Sequence, residues 1–242
     1  MVVHSMLCEG PVYLGQWKGE GNSMYEAEEK KRSLKGRVIV GIDGWSRSGK
    51  TTFVHHLCQR FEEEGIHTVV FHLDDHIVNW KDRYQTGYPS WQEYYYFQWK
   101  VKWLQEHLFR FVREKDKVCL PYYAPDADDH QWKETRLPEA CVIFIEGVFL
   151  QREEWRTFLD YVVFLDCDRD VRFQRESSET QKDIHKFRER YWPAEDHYLL
   201  QVDPTGLADH VIDTTRKDGC SKDENPYEHN SNSESNGIYR RQ

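Results

Sequence analysis

An α/β fold built on a five-stranded parallel sheet with helices on both faces is what the sequence predicts, on three observations. Five short apolar runs, at 38–42, 67–73, 141–145, 161–165 and 209–213, have the length and branched-residue content of buried strands. Stretches with helical spacing separate them. The first run ends in a glycine-rich turn that leads straight into a helical pattern. Near-continuous apolar strands joined by helices require a parallel sheet covered on both sides, because each crossover lays a helix against one face.

The first strand breaks at Asp43 into Gly44-Trp45-Ser46-Arg47-Ser48-Gly49-Lys50-Thr51, and Thr52 opens a helix that Gly65 stops. This octet fits G-x-x-x-x-G-K-[ST]. Gly44 and Gly49 let the backbone turn tightly, so that successive N–H groups face a polyphosphate. The helix that follows adds its N-terminal dipole. Lys50 supplies a point charge for the β- and γ-phosphates, and the Thr51 hydroxyl is a ligand for Mg²⁺. Ser46, Arg47, Ser48 and Thr52 complete the expected phosphate site.

The second strand ends in Asp74-Asp75 and the third in Glu146-Gly147. Between them, 91–114 reads as one long helix with Phe97, Val101, Leu104, Leu108 and Phe111 on a stripe. Tyr95, Trp99 and Trp103 form a second face, read as packing, with a substrate wall or partner surface as the other readings. A short extended piece at 117–120 leads into Pro121-Tyr122-Tyr123 and a polar loop. The fourth strand ends in Asp166-Cys167-Asp168, helices are expected at 169–177 and 182–200, and the fifth strand closes the pattern. Residues 1–35 read as an N-terminal extension, 36–214 as one domain, and 215–242, with few apolar residues, as a disordered tail.

Net charge of −9 argues against broad binding to nucleic acid or anionic membranes, and no apolar run approaches the ~20 residues of a membrane span. The first residues lack a basic region followed by an apolar one, so no secretory signal is expected. Six scattered cysteines without a C-x-x-C pair, four of them in or beside apolar or helical patterns, read as buried free thiols in a reducing compartment, hence the cytoplasm.

Ligands of parallel sheets bind at the carboxyl ends of the strands, where the acids are. Asp74 could accept the proton of an attacking hydroxyl, and Glu146 could hold Mg²⁺ directly or through water. Asp75 reads as a second ligand or as a turn cap. His72 and His76 flank the acids, but a strand followed by a turn points them apart, which argues against a zinc site. Asp168 reads as a helix N-cap. Arg172, Arg175, Arg188 and Arg190 are either guanidinium groups for developing phosphate charge or surface ion pairs.

With these residues assembled, the chain resembles the uridine kinase and phosphoribulokinase family of P-loop kinases, especially its bacterial uridine-kinase-like branch. The pieces that carry the resemblance are GIDGWSRSGKTT, FHLDDHIV, LPYY, VIFIEGVFLQ, VVFLDCDRDVRFQRE and ADHVID, across about residues 36–213. It implies a P-loop NTPase fold with a helical lid after the fourth strand, and ATP or GTP with Mg²⁺. Asp74 then matches the catalytic aspartate and Tyr123 a tyrosine lining the substrate pocket.

The chain departs from the pattern in three places. Tyr123-Ala124-Pro125 stands for Y-D-F, and Gln85-Thr86-Gly87-Tyr88-Pro89 stands where a ribose-contacting segment has an aspartate. Arg175-Glu176-Ser177-Ser178-Glu179-Thr180 replaces an arginine-rich lid. A pocket without a carboxylate aimed at ribose hydroxyls should bind uridine poorly. The expected activity is transfer of a γ-phosphate to a hydroxyl of a small metabolite, a nucleoside such as uridine or cytidine or a related alcohol. The other reading is a nucleotide-binding switch that hydrolyses ATP slowly. The sequence leaves open whether the chain forms a homo-oligomer.

Overall fold

Valine and isoleucine at successive positions of β1 (Arg37–Gly44) send side chains to both sides of the sheet, and both sides are covered. The computed structural model describes residues 36–215; the expectations for the N-terminal extension and for residues 216–242 lie outside them. From β1 the chain runs through α1 (Lys50–Glu63) to β2 (Thr68–His72) and a 3-10 turn (Leu73–His76). Next come α2 (Ser90–Tyr96) and α3, which is formed by Val101–Leu104, a π segment Gln105–Arg110 and Phe111–Glu114. A hairpin follows, β3 (Lys117–Ala124) and β4 (Asp129–Arg136), and then β5 (Cys141–Glu146) and β6 (Tyr161–Asp166). After β6 come α4 (Arg169–Gln174), a turn of helix at Ser178–Gln181, and α5. Ile184–Lys186, a π segment Phe187–Tyr191 and Trp192–Val202 make up α5. The strand β7 (His210–Asp213) closes the fold.

Five strands pair in parallel in the order β2-β5-β1-β6-β7. Alternation along each strand divides the core in two. Val40, Ile42, Val142, Phe144, Val163 and Leu165 meet Phe53, Val54, Leu57 and Phe61 of α1. Ile39, Ile143, Ile145, Val162 and Phe164 face the opposite way, toward α2, α3 and Trp155. All six residues of β5 are buried, as a central strand covered on both faces requires.

Two expectations need correction. The helix expected over 91–114 is two, broken at residues 97–100. There the backbone finds tertiary partners instead: the Gln98 carbonyl accepts from the Val78 N–H at 3.0 Å, and the Trp99 indole N–H donates to the Leu73 carbonyl at 2.8 Å. Tyr95 and Trp99 are buried in the core, so this aromatic face is packing. The polar loop after Tyr123 contains a strand, β4, which pairs antiparallel with β3 from Lys117↔Arg136 to Ala124↔Asp129. Its side chains are mostly exposed, so its composition carried no apolar signal.

Two fully buried contacts fix the ends of β1 and β5. Asp43 accepts from the Tyr198 hydroxyl at 2.6 Å, the Gly44 N–H at 2.8 Å and the Gln151 amide at 3.2 Å, which ties the end of β1 to α5. Gly147, at the exit of β5, lies so close to the 3-10 turn that a Cβ would stand 2.8 Å from the Cβ of Leu73 and 2.7 Å from its Cδ1. This close approach holds the turn carrying Asp74 beside the end of β5. Gly147→Ala should therefore lower stability by about 1–3 kcal/mol, read from the denaturant midpoint. A midpoint equal to the parent's would show that the two segments separate freely.

Candidate active site

Gly49 has a φ of 96°, which an L side chain rarely adopts, and it passes the chain from the turn into α1. Arg47 also has positive φ, 62°, without being glycine, so the turn is held in a specific shape by its surroundings. Lys50 Nζ donates to the Gly44 and Trp45 carbonyls at 3.2 and 2.8 Å. Burial lowers its pKa, and the charges of Glu146, Asp74 and Asp43 work against that shift.

The register of the sheet brings the acids to this turn. Glu146 stands opposite Ile42 of β1 on one side and opposite His72 of β2 on the other. Its Oε1 accepts from the Thr51 hydroxyl at 3.0 Å and from His72 Nδ1 at 2.6 Å. Its Oε2 is buried without a protein partner. Burial would raise the Glu146 carboxyl, but the His72 hydrogen bond and the Lys50 charge outweigh it, and the net pKa is lowered. The same hydrogen bond raises His72. A free carboxylate oxygen beside a hydroxyl is an oxygen donor set suited to Mg²⁺, which takes few protein ligands and keeps water and phosphate oxygens for the rest. Among the described residues no group of three or more His, Cys, Asp or Glu is placed to hold a metal alone.

Asp74 lines the same cleft, a cavity of about 790 Å³ that also includes Ser46, Arg47, Gly49, Lys50, Thr51, Thr52 and Glu146. Asp74 is exposed, open to that cleft. Desolvation raises its pKa, Lys50 opposes the shift, and Glu146 and Asp75 add to it. β5 lies between β1 and β2, so Asp74 approaches the loop across Glu146 rather than from the neighbouring strand. The segment after β6 meets the loop from the other side, where Arg175 donates to the Arg47 carbonyl at 3.0 Å and Glu176 pairs with Arg47 at 2.9 Å. Arg175, Glu176 and Thr180 line the cleft there, in the position expected of the lid.

Several expected site residues do other work. Trp45 does not line the cleft; its indole N–H donates to Asp166 at 2.8 Å, and its ring packs edge-on against Phe164. Ser48 is buried and Gly44 lies behind Lys50. Arg172 is a strut rather than a substrate ligand, because both its terminal nitrogens bind Glu195, at 2.7 and 2.9 Å, and both residues are buried. Asp75 does not line the cleft. Tyr123 stands one layer back, its hydroxyl donating to Asp128 at 2.8 Å and accepting from Arg83 at 3.1 Å. Arg190 does line the cleft, buried and paired with Glu93 at 3.3 Å. His76 turns from His72 to the Pro121 carbonyl, 2.9 Å away. Asp168 occupies the N-cap of α4, but its side chain makes no capping bond.

Sequence reasoning missed His72 as the partner of Glu146, and missed Arg83, Tyr84, Tyr94, Gln98 and Lys186 in the cleft wall. A signal for His72 existed, since it ends β2 as Glu146 ends β5. For the wall residues no spacing pointed to the cleft.

A phosphate-binding turn, a carboxylate at the end of the neighbouring strand and a lid segment over both define a phosphotransferase of the P-loop class. Residues 39–212 match the phosphoribulokinase / uridine kinase family, and the chain belongs to that family. Among curated relatives, the uridine kinase of Clostridium tetani is 31% identical over 144 residues, which are 57% of this chain and 65% of that protein. The uridine kinase of Leuconostoc citreum is 29% identical over 175 residues, 69% of this chain and 78% of that one. A solved structure described as a possible uridine kinase from Bacillus stearothermophilus is 47% identical, with a TM-score of 0.66, over 74% of this chain and 89% of that chain.

The Glu146–His72 pair has a pH signature. Lowered Glu146 contributes stability above its ordinary value of 4.5 and loses it as pH falls through the folded pKa. Raised His72 contributes below its ordinary 6.5 and loses it as pH rises through the folded pKa. His72→Gln should therefore cost most stability between pH 4.5 and 6.5 and progressively less above, in urea melts across pH. Because His72 is 36% exposed, solvent screening keeps the cost to about 1 kcal/mol or less. A cost that does not vary with pH would show that the pair is not charged in the folded protein.

Proposed function

We propose that this protein transfers the γ-phosphoryl group of ATP to a hydroxyl of a small alcohol, a class that spans nucleosides, vitamin-like alcohols and sugars. The observation that carries the reading is one cleft lined by Lys50 and Thr51 at the phosphate turn, by Glu146 and by Asp74. Family membership and the uridine kinase names of the relatives support the same class of reaction.

In this mechanism the amides around Gly49 and the N-terminus of α1 hold the β- and γ-phosphates. Lys50 exchanges its carbonyl partners at Gly44 and Trp45 for phosphate oxygens. Thr51 and Glu146 are the residues to hold Mg²⁺, which when bound neutralises charge on the phosphates. His72 orients Glu146 by occupying one carboxylate oxygen and leaving the other free. Asp74 takes the proton of the acceptor hydroxyl as its oxygen attacks the γ-phosphorus; the bond to the bridging oxygen breaks and ADP leaves. A carboxyl pKa raised from its ordinary value suits that role, because a base acts best with a pKa near the working pH. The four described cysteines are free, Cys141 and Cys167 buried as expected but Cys58 half-buried and Cys119 exposed, and no described helix is long and apolar enough to cross a membrane; the free thiols support a reducing, cytoplasmic setting.

The test is ADP formation with and without uridine, cytidine and a panel of other alcohols. Asp74→Asn should cut transfer by roughly 10²–10⁴-fold while ATP affinity stays near the parent's. Lys50→Ala should lose ATP binding itself. Parent-like turnover in Asp74→Asn would reject the assigned base. ATP consumption that no acceptor raises above the rate in water would favour a nucleotide switch.

A further inference from the structure

Beyond Asp74 the wall of the cleft becomes basic. Arg83, Lys186 and Arg190 line it around Tyr84. The acids that line the cleft are Asp74, Glu146 and Glu176, and all have work on the phosphate side. Glu146 is held by Thr51 and His72, and Glu176 pairs with Arg47. Arg190 is neutralised by Glu93 and lies over the Tyr84 ring at 4.1 Å.

Arg83 and Lys186 differ. Among the described residues, neither has a carboxylate within ion-pair distance. Arg83 is held in place by aromatic faces, 5.0 Å from the Tyr123 ring and 5.2 Å from that of Tyr84. One terminal nitrogen donates to the Tyr123 hydroxyl, and its Nε is buried with no partner. The nearby Asp128 carboxylate interacts with the Arg83 charge from beyond ion-pair distance, and its Oδ1 accepts from the Trp80 N–H at 2.7 Å and the Tyr123 hydroxyl at 2.8 Å. Lys186 is exposed, lies 5.5 Å over the Tyr191 ring and hydrogen-bonds with the Tyr191 hydroxyl. Gln98, also in the wall, has a buried Oε1 with no partner. Two cations that line the cleft without a carboxylate at ion-pair distance are an anion site, and the buried Arg83 Nε–H without a partner is costly until an oxygen meets that guanidinium.

We propose that the acceptor alcohol carries an anionic group, a carboxylate or a phosphate ester, seated between Arg83 and Lys186 beside Tyr84 while its hydroxyl reaches Asp74. The proposal rests on the kinase reading above. The hydroxyl oxygen gains the phosphoryl group, its proton passes to Asp74, and the anionic group is unchanged. A neutral nucleoside brings no charge to either cation and binds weakly.

The experiment uses acceptor pairs that differ in the anion alone: pantothenate and pantothenol, D-glycerate and glycerol, ribulose 5-phosphate and ribulose, with uridine and cytidine beside them. The charged member of at least one pair should be phosphorylated with kcat/KM about a hundredfold above its neutral partner and above uridine, and which pair responds separates carboxylate from phosphate. Arg83→Gln and Lys186→Gln should each raise KM for the charged acceptor about tenfold, with KM for ATP unchanged, and Arg83→Lys should recover part of the loss. Thermal melts and affinity for a non-hydrolysable ATP analogue verify that the variants fold. Equal use of charged and neutral acceptors, or a rise in KM for ATP in place of the acceptor, overturns the anion site and leaves the kinase reading standing. ATP consumption that no compound in the panel raises removes the kinase reading and the anion site with it.

Discussion

Glu146 is where the elements of the site are joined. It ends the strand that runs between β1 and β2, so its in-register neighbours are the strand that feeds the phosphate turn and the strand that feeds Asp74. A carboxylate buried there without partners would cost several kcal/mol. Thr51 and His72 supply hydrogen bonds to one oxygen and Lys50 supplies the opposing charge, so Glu146 stays ionised with its second oxygen free. Moving either neighbouring strand by one residue would turn His72 or the turn's base away and leave the charge unmatched.

The surrounding structure holds this junction through buried polar contacts behind the cleft. Asp43 at the end of β1 is bound by Tyr198, Gln151 and the Gly44 N–H, and its carboxyl is raised by burial against those bonds. Arg172 and Glu195 lock α4 to α5 beneath the turn, and Arg172 also reaches the Ser46 carbonyl at 3.2 Å. A buried pair of this kind adds little net stability over an apolar one but penalises any arrangement that separates its members. The turn is thereby held in one shape, including the positive φ of Arg47.

The two sides of the cleft are built differently. The turn itself comes from one contiguous segment and offers backbone amides, a helix dipole and a lysine, which suit any nucleoside triphosphate. The rest of the cleft wall is assembled from segments far apart in the chain: the stretch that carries Arg83 and Tyr84, Tyr94 and Gln98 further on, and Lys186, Arg190 and Tyr191 in α5. Kinship to uridine kinases therefore speaks to the class of reaction more strongly than to the acceptor.

The five strands, their parallel pairing and the phosphate turn were legible because each is written locally, in apolar runs and in glycine and lysine at fixed spacing. Asp74 and Glu146 were legible because strand ends in such a sheet converge on one edge. The hairpin strand β4 was not, since its exposed side chains carry no apolar period. Neither was the break at residues 97–100, where hydrogen bonds to Val78 and Leu73 replace those of a continuous helix. Whether an arginine faces ligand or protein depends on which carboxylate folding brings to it. Glu195 meets Arg172 and Glu93 meets Arg190, while no carboxylate comes within ion-pair distance of Arg83 among the described residues. By itself the sequence determined the sheet, the phosphate turn and the two acids, because short-range pattern specifies them. Only the tertiary structure decided the partner of Glu146 and which cations line the rest of the cleft, because those depend on residues that chain distance keeps apart and packing brings together.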